Sequence, residues 1–314
     1  MYEMSERITT IVLPTRPQPD TIVAIFFLRE FGQAQYPGIL EATVVVDPKA
    51  AADTGKLLLD VGGGEFDHHG TNKCATELVA EKFNIIKNPE LRPMIAYARR
   101  DDTKGQGIIS KDPIDRAFGL SGLIASLNKL HTADADTVVR TVLPLLEAQH
   151  KNAYEHYVEL PKLVTDLTNQ KQFSSHTLNQ PIKNTKIAFV SSDHMGLPGY
   201  LRSSVGGNYR VVVQRRSTGH TNIITKQNPK IDLSQLAALL RLRECELNNI
   251  AVSDERSLFT TGTHEMVSNW YYDTATNSIL NGGASPQEIT PTSIPWEEIQ
   301  AIVLHAITAS STES

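Results

Sequence analysis

Over the first hundred residues, short apolar runs alternate with segments of helical periodicity, which points to a parallel sheet joined by helical crossovers. Arg7 to Leu13 reads as a strand, Thr21 to Phe31 as a helix, and Ala42 to Val46 as a second strand. Lys56 to Val61 reads as a third strand running into Gly62-Gly63-Gly64, and a helical pattern follows from Thr76 to Phe83. Parallel sheets of this kind are covered on both faces and collect ligands outside the carboxyl ends of their strands. Asp20 lies just beyond the first strand, Asp47 ends the second and Asp60 sits near the end of the third. The pattern therefore delivers several carboxylates to one edge.

A helical pattern extends from Ile114 to Leu167, and Thr168 to Thr185, rich in Asn, Gln and Ser, reads as a linker. A second α/β pattern starts at Lys186, with strands at Ile187 to Val190, Tyr209 to Arg215 and Asn222 to Lys226 and a helix at Leu233 to Glu246. Trp270 to Tyr272 and Ser278 to Leu280 form a predicted hairpin, and a last helix opens near Ser293. The expected fold class is α/β, a parallel doubly wound sheet domain followed by a helical connection and a smaller α/β domain. The expected boundaries are 1–167, a linker at 168–185 and 186–314. At 314 residues the chain is long enough for two domains. No run of eighteen apolar residues and no secretory leader pattern occur, so no membrane partner and a cytoplasmic location are expected. Cys74 and Cys245 have no partner at metal or redox spacing, which disfavours zinc–thiolate chemistry and a disulfide framework. A formal net charge of −5 argues against broad duplex binding, which depends on many basic contacts to phosphate.

The segment richest in chemistry is Asp60-Val-Gly-Gly-Gly-Glu-Phe-Asp67-His68-His69. An aspartate closing an apolar strand, a glycine loop and then a carboxylate beside two imidazoles make an oxygen-rich donor set that suits Mn²⁺ or Mg²⁺ better than tetrahedral zinc.

This segment resembles the DHH phosphoesterase superfamily, whose name comes from the triplet matched by Asp67-His68-His69. The resemblance implies a two-domain, metal-dependent phosphoesterase whose C-terminal domain closes over the substrate. In the family's first motif, a histidine is followed four residues later by an aspartate and two later by another; the matching positions here are Arg16, Asp20 and Ile22. Arginine and isoleucine cannot ligate a metal, so the full two-metal set is incomplete, and Arg16 becomes a candidate charge for a substrate phosphate. The family's later aspartate corresponds to Asp102, with Asp101 a close rival. By this carry-over, Asp60 bridges two sites, His68 and Asp102 hold the second metal, and Asp20 keeps half of the first. His69 is substrate-facing or supports a ligand, and Asp67 orients an imidazole.

Arg215-Arg216-Ser217-Thr218-Gly219-His220 is similar to the arginine-serine-x-glycine element of the DHH-associated domain, a phosphate or nucleotide contact, and Gly282-Gly283 is similar to part of its glycine-rich loop. The expected activity is hydrolysis of a phosphodiester in a nucleotide, a short single-stranded oligonucleotide or a cyclic dinucleotide, with water activated by the metal as nucleophile. A homodimer is compatible with this reading. The rival expectation is a non-catalytic nucleotide binder or sensor derived from such an enzyme.

Overall fold

Every residue from Ile22 to Leu28 is apolar, and a helix with apolar residues on all sides has to lie inside a core. A computed structural model of the chain describes residues 6–105, 107, 109–179, 183–228, 230–282 and 288–309. In it this segment belongs to helix α1 (Pro19–Phe31), which starts at a proline and is buried from Pro19 to Leu28. The architecture is mixed α/β, and the chain divides into two compact units, Met1–Tyr157 and Val158–Ser314.

In the first unit, strands β1 (Thr10–Leu13), β2 (Thr43–Val46) and β3 (Lys56–Leu58) form a parallel sheet in the order β2-β1-β3. The chain steps from β1 to one side and then crosses to the other, so strand order reverses between β1 and β3. The carboxyl ends at such a reversal open a crevice. Ile11, Leu13, Val44, Leu57 and Leu59 pack in one core with α1, α2 (Ala75–Lys82) and α3 (Arg92–Lys104). After the short helix α4 (Pro113–Phe118), α5 (Leu120–Leu130) and α6 (Ala135–Tyr154) also contribute to this core. The alternate residues Val12 and Leu58 pack on the opposite face with Val61 and Ala50, and no helical residue joins that cluster. On this face the described residues form a small cluster completed by the loop residues Val61 and Ala50.

In the second unit, α7 (Leu160–Asn169), β4 (Phe173–Leu178), β5 (Thr185–Ser191), α8 (Leu197–Arg202), β6 (Val211–Arg215) and β7 (Thr221–Thr225) come first. They are followed by α9 (Ser234–Leu247), β8 (Gly262–His264), β9 (Val267–Asp273), β10 (Ser278–Leu280) and α10 (Trp296–Ala309). The sheet order is β4-β5-β6-β7-β10-β9-β8; only β5 and β6 are parallel. Ile187, Phe189, Val211 and Val213 pack with α9 and α10, while Ala188, Val190 and Val212 pack with α7 and α8. Burial on both faces explains why these strands read as continuous apolar runs.

Two expectations change here. The stretch expected to be a linker carries β4, an edge strand whose residues from Ser174 to Thr177 are exposed and which is held by backbone pairing to β5. With α7 and β4 included, the second unit is as long as the first instead of smaller. An edge strand with polar faces lacks the alternation that marks a strand in sequence.

Candidate metal centre

Beyond β3 the chain makes a folded loop that brings its far end back over the strand. Asp60 takes a left-handed backbone (φ 64°), a conformation that aspartate tolerates better than most residues. Its N–H donates to the Phe66 carbonyl, and Phe66 is buried in the core. Gly62 has φ 68°, and a Cβ there would meet the Ala50 carbonyl at 2.6 Å, so only glycine fits this turn. The loop thereby returns Asp67, His68 and His69 to the strand end.

The ligand atoms of Asp20, His68 and Asp102 lie within 4.8 Å of one another. His68 Nε2 is 2.8 Å from Asp60 Oδ1 and 3.9 Å from Asp102 Oδ1. Asp60 Oδ1 is buried, yet no hydrogen bond reaches it among the described residues. Burial pushes the Asp60 carboxyl up to about 6, against the opposing pull of His68 and His69, with repulsion from Asp20 and Asp102 adding to the rise. Asp102 is raised by burial and then by Asp20. It also stands in the last turn of α3, where the helix dipole disfavours an anion. The nearby guanidinium groups are engaged: Arg99 donates to Glu77 at 2.8 Å and Arg100 to the Gly107 carbonyl at 3.0 Å.

Asp20 is the most constrained of the group. Only 3% exposed, it accepts the N–H of Ala75 on Oδ2 and of Thr76 on Oδ1, both at 3.0 Å, while its carbonyl accepts the Thr76 hydroxyl. It therefore caps the start of α2 and ties that helix to α1. Asp101 faces elsewhere; its Oδ1 accepts the Ser121 hydroxyl at 3.2 Å. Of the two rival aspartates, it is Asp102 that joins the group.

Beside it, His69 is exposed and its Nδ1 lies 2.6 Å from Asp67 Oδ1. That hydrogen bond raises the imidazole pKa, favouring the protonated ring. Asp67 is fixed in turn by the N–H groups of Gly63 and His69. The two histidine rings stack with centroids 5.3 Å apart.

Arg16 is not brought into this group. It is exposed, makes no ion pair among the described residues, and lines a separate cavity of about 570 Å³ with Pro17, β2, Asn128 and His131. Ile22 is wholly buried in the main core. Asp47 accepts the Lys49 N–H and serves as a turn cap. Sequence reasoning missed Glu77, whose Oε2 accepts the Cys74 N–H in a capping box and whose Oε1 holds Arg99; the spacing Cys74-x-x-Glu77 was its signal.

In the second unit, Arg216 to His220 form the turn between β6 and β7, closed by the Gly219 N–H to the Arg216 carbonyl, with Gly219 at φ 89°. Arg215, Arg216 and Ser217 line a cavity of about 360 Å³ with Gln172, Ser191, Ser192 and Asp193, at the carboxyl ends of the parallel strands β5 and β6. His220, expected to touch substrate, is buried with both ring nitrogens engaged, by the Thr218 hydroxyl and the Ile289 carbonyl, each at 2.8 Å. Gly282 follows the buried Asn281 at φ 91°, and Gly283 lies outside the described residues. Among the described residues, no helix is long and apolar enough to cross a membrane.

Compared with known proteins, the chain matches no family model, no curated protein and no solved structure.

Proposed function

We propose that this chain is a metal-dependent phosphohydrolase of the DHH type, acting on a phosphodiester in a nucleotide, a short oligonucleotide or a cyclic dinucleotide. The observation that carries the reading is the buried Asp60 Oδ1, which accepts no hydrogen bond and lies 2.8 Å from His68 Nε2, with Asp20 and Asp102 close to the same imidazole. Three carboxylates converging on one imidazole, one of them with a buried oxygen that no hydrogen bond reaches, favour a cation, and such an oxygen-rich set suits Mn²⁺ or Mg²⁺. Asp60, His68, Asp102 and Asp20 would hold it. A bound divalent ion supplies Lewis acidity toward a phosphoryl oxygen and toward water.

The chain's own part is proton transfer and orientation. Asp67 holds His69 through Nδ1, leaving Nε2 free to carry a proton, and the Asp67 hydrogen bond shifts the ring toward its protonated form. His69 would pass it from Nε2 to the leaving oxygen of the ester. The arginine-bearing turn of the second unit is a separate place where a phosphate oxygen could be held, as in the DHH-associated domain that it is similar to.

One observation favours the rival, a nucleotide binder without turnover: Arg16 and Ile22 occupy positions where the resembled family has ligands, and Ile22 is sealed in the core. Hydrolysis of bis-p-nitrophenyl phosphate and of short oligonucleotides with Mn²⁺ decides. Mn²⁺-dependent turnover that disappears in Asp60→Asn supports the enzyme; nucleotide binding with no turnover on any of these supports the binder.

A further inference from the structure

The metal-dependent reading leaves open how many ions the centre takes, and on that reading we infer that it is built for a single ion, the second site of the resembled family being closed. A second ion in that family draws on the positions of Arg16, Asp20 and Ile22. Here Ile22 is fully buried in the apolar core of the first unit, where a ligand side chain would put a charge into hydrocarbon. Arg16 turns to a different cavity. Asp20 already has a backbone N–H on each carboxylate oxygen, so it can lend a lone pair to one neighbouring ion but cannot anchor a second site.

The only other donors beside Asp60 are Asp67 and His69, whose ligand atoms come within 4.8 Å of it among the described residues. Asp67 and His69 are already hydrogen-bonded to each other and to the loop backbone. Asp67 Oδ2 accepts the Gly63 N–H at 2.7 Å, Oδ1 accepts the His69 N–H at 3.0 Å, and Nδ1 of His69 is spent on the same Oδ1. An ion that took Nδ1 of His69 as a ligand would have to displace its hydrogen bond to Asp67 Oδ1, one of the contacts that shape the loop. By contrast, Asp60 Oδ1 has none to lose. The one atom of the group that is buried without a hydrogen bond, Asp60 Oδ1, thus lies on the His68 side, 2.8 Å from Nε2, which is in turn 3.9 Å from Asp102 Oδ1.

The test is the number of Mn²⁺ ions bound per full-length chain after equilibration with Mn²⁺ and removal of excess, read together with the electron paramagnetic resonance spectrum. One ion per chain with the six-line hyperfine pattern of isolated Mn²⁺ is expected. Two ions per chain with an exchange-coupled spectrum would overturn the inference while leaving the metal-dependent reading intact. No Mn²⁺ bound by the folded wild-type chain would overturn both. Asp67→Asn combined with His69→Gln should keep the count at one, since neither is a ligand; a lost equivalent would show that they hold an ion. Because these two are exposed or near the surface, this double variant stays informative where a buried substitution such as Ile22→Asp would unfold the chain.

Discussion

Glu244 in the second unit and the partly buried Asp60 and Asp102 in the first are shielded carboxylates with opposite surroundings. In the second unit Glu244, 3% exposed, accepts from Trp270 Nε1 and the Thr292 hydroxyl on Oε2 and from the Ser293 N–H and Asn248 Nδ2 on Oε1. Burial pushes its pKa up, but these hydrogen bonds outweigh burial and hold it below the usual glutamate range. Nearby on the same helix, the wholly buried Arg241 donates to the carbonyls of Leu258, Thr260, Gly262 and Trp270. In the first unit Asp60 and Asp102 are pushed the other way, and Asp60 keeps a buried oxygen without a hydrogen bond. Glu244 is matched on both oxygens by donors of the chain, whereas Asp60, just beyond β3, keeps one buried oxygen that no hydrogen bond reaches among the described residues.

The largest effect should come from removing the architectural charge. Glu244→Ala strands four donors in the core of the second unit, and losing one side of a buried charged network costs about 3–5 kcal/mol. Urea unfolding of the full chain, followed by a probe sensitive to Trp270, should show that loss with Mn²⁺ binding retained. A cost below about 1 kcal/mol would mean that Glu244 is no better compensated than Asp60, and the contrast would fail.

Asp60→Asn should do the opposite. Mn²⁺ affinity should fall on the order of 100-fold in titration calorimetry, at the upper end of what loss of a supporting group costs. Stability of the metal-free chain at pH 7 should rise. The sign follows from the raised pKa. The folded state holds the Asp60 proton more tightly than the unfolded state, so the stability contributed is full below about pH 4 and is lost as pH climbs through about 6. Metal-free wild type should therefore melt lower at pH 7 than at pH 5 relative to Asp60→Asn. Mn²⁺ should reverse the trend, because proton and ion compete for the same oxygen. A wild type and variant with parallel pH profiles would remove the uncompensated charge from the argument.

How much of this was legible depends on whether a residue's role is local. The Asp60 loop announces itself because strand, glycines and triplet are contiguous, and its folding requirement at Gly62 is local too. Arg16 and Ile22 sit in the same stretch as Asp20, yet one turns to another cavity and the other into the core, since direction after a strand end is set by packing that no spacing encodes. His220 reads as a substrate contact because it ends a charged element that follows an apolar strand; its two hydrogen bonds reach Thr218 and the distant Ile289. β4 was invisible because its exposed faces carry no apolar period.

A smaller effect is expected in the second unit. Arg215→Ala should weaken binding of inorganic phosphate or a mononucleotide by roughly 3- to 10-fold, about the value of one charge-assisted contact, and leave bound Mn²⁺ unchanged. Metal content and ligand affinity measured on one preparation check it; metal lost together with affinity would mean that the two units' polar sites are not separate.

The smallest effect is expected at Asp101, which burial shifts in the same direction as its neighbour Asp102. Asp101 and Asp102 both have raised pKa values with desolvation as the main cause, so acidity does not distinguish them. Hydrogen bonding does. Asp101 Oδ1 accepts the Ser121 hydroxyl, and an asparagine amide oxygen can accept the same bond. Asp102 Oδ1 faces His68 Nε2 at 3.9 Å, a separation that an ion between them would span, and an amide there lacks the charge that binds it. Asp102→Asn should lower Mn²⁺ affinity by about 10- to 100-fold, whereas Asp101→Asn should change it by less than about twofold and leave the unfolding midpoint nearly in place. Calorimetry on the two variants side by side removes differences of preparation. Equal losses in both would mean that the last turn of α3 presents both carboxylates to the ion, and the division between compensated and uncompensated carboxylates would then run through that turn at a different residue.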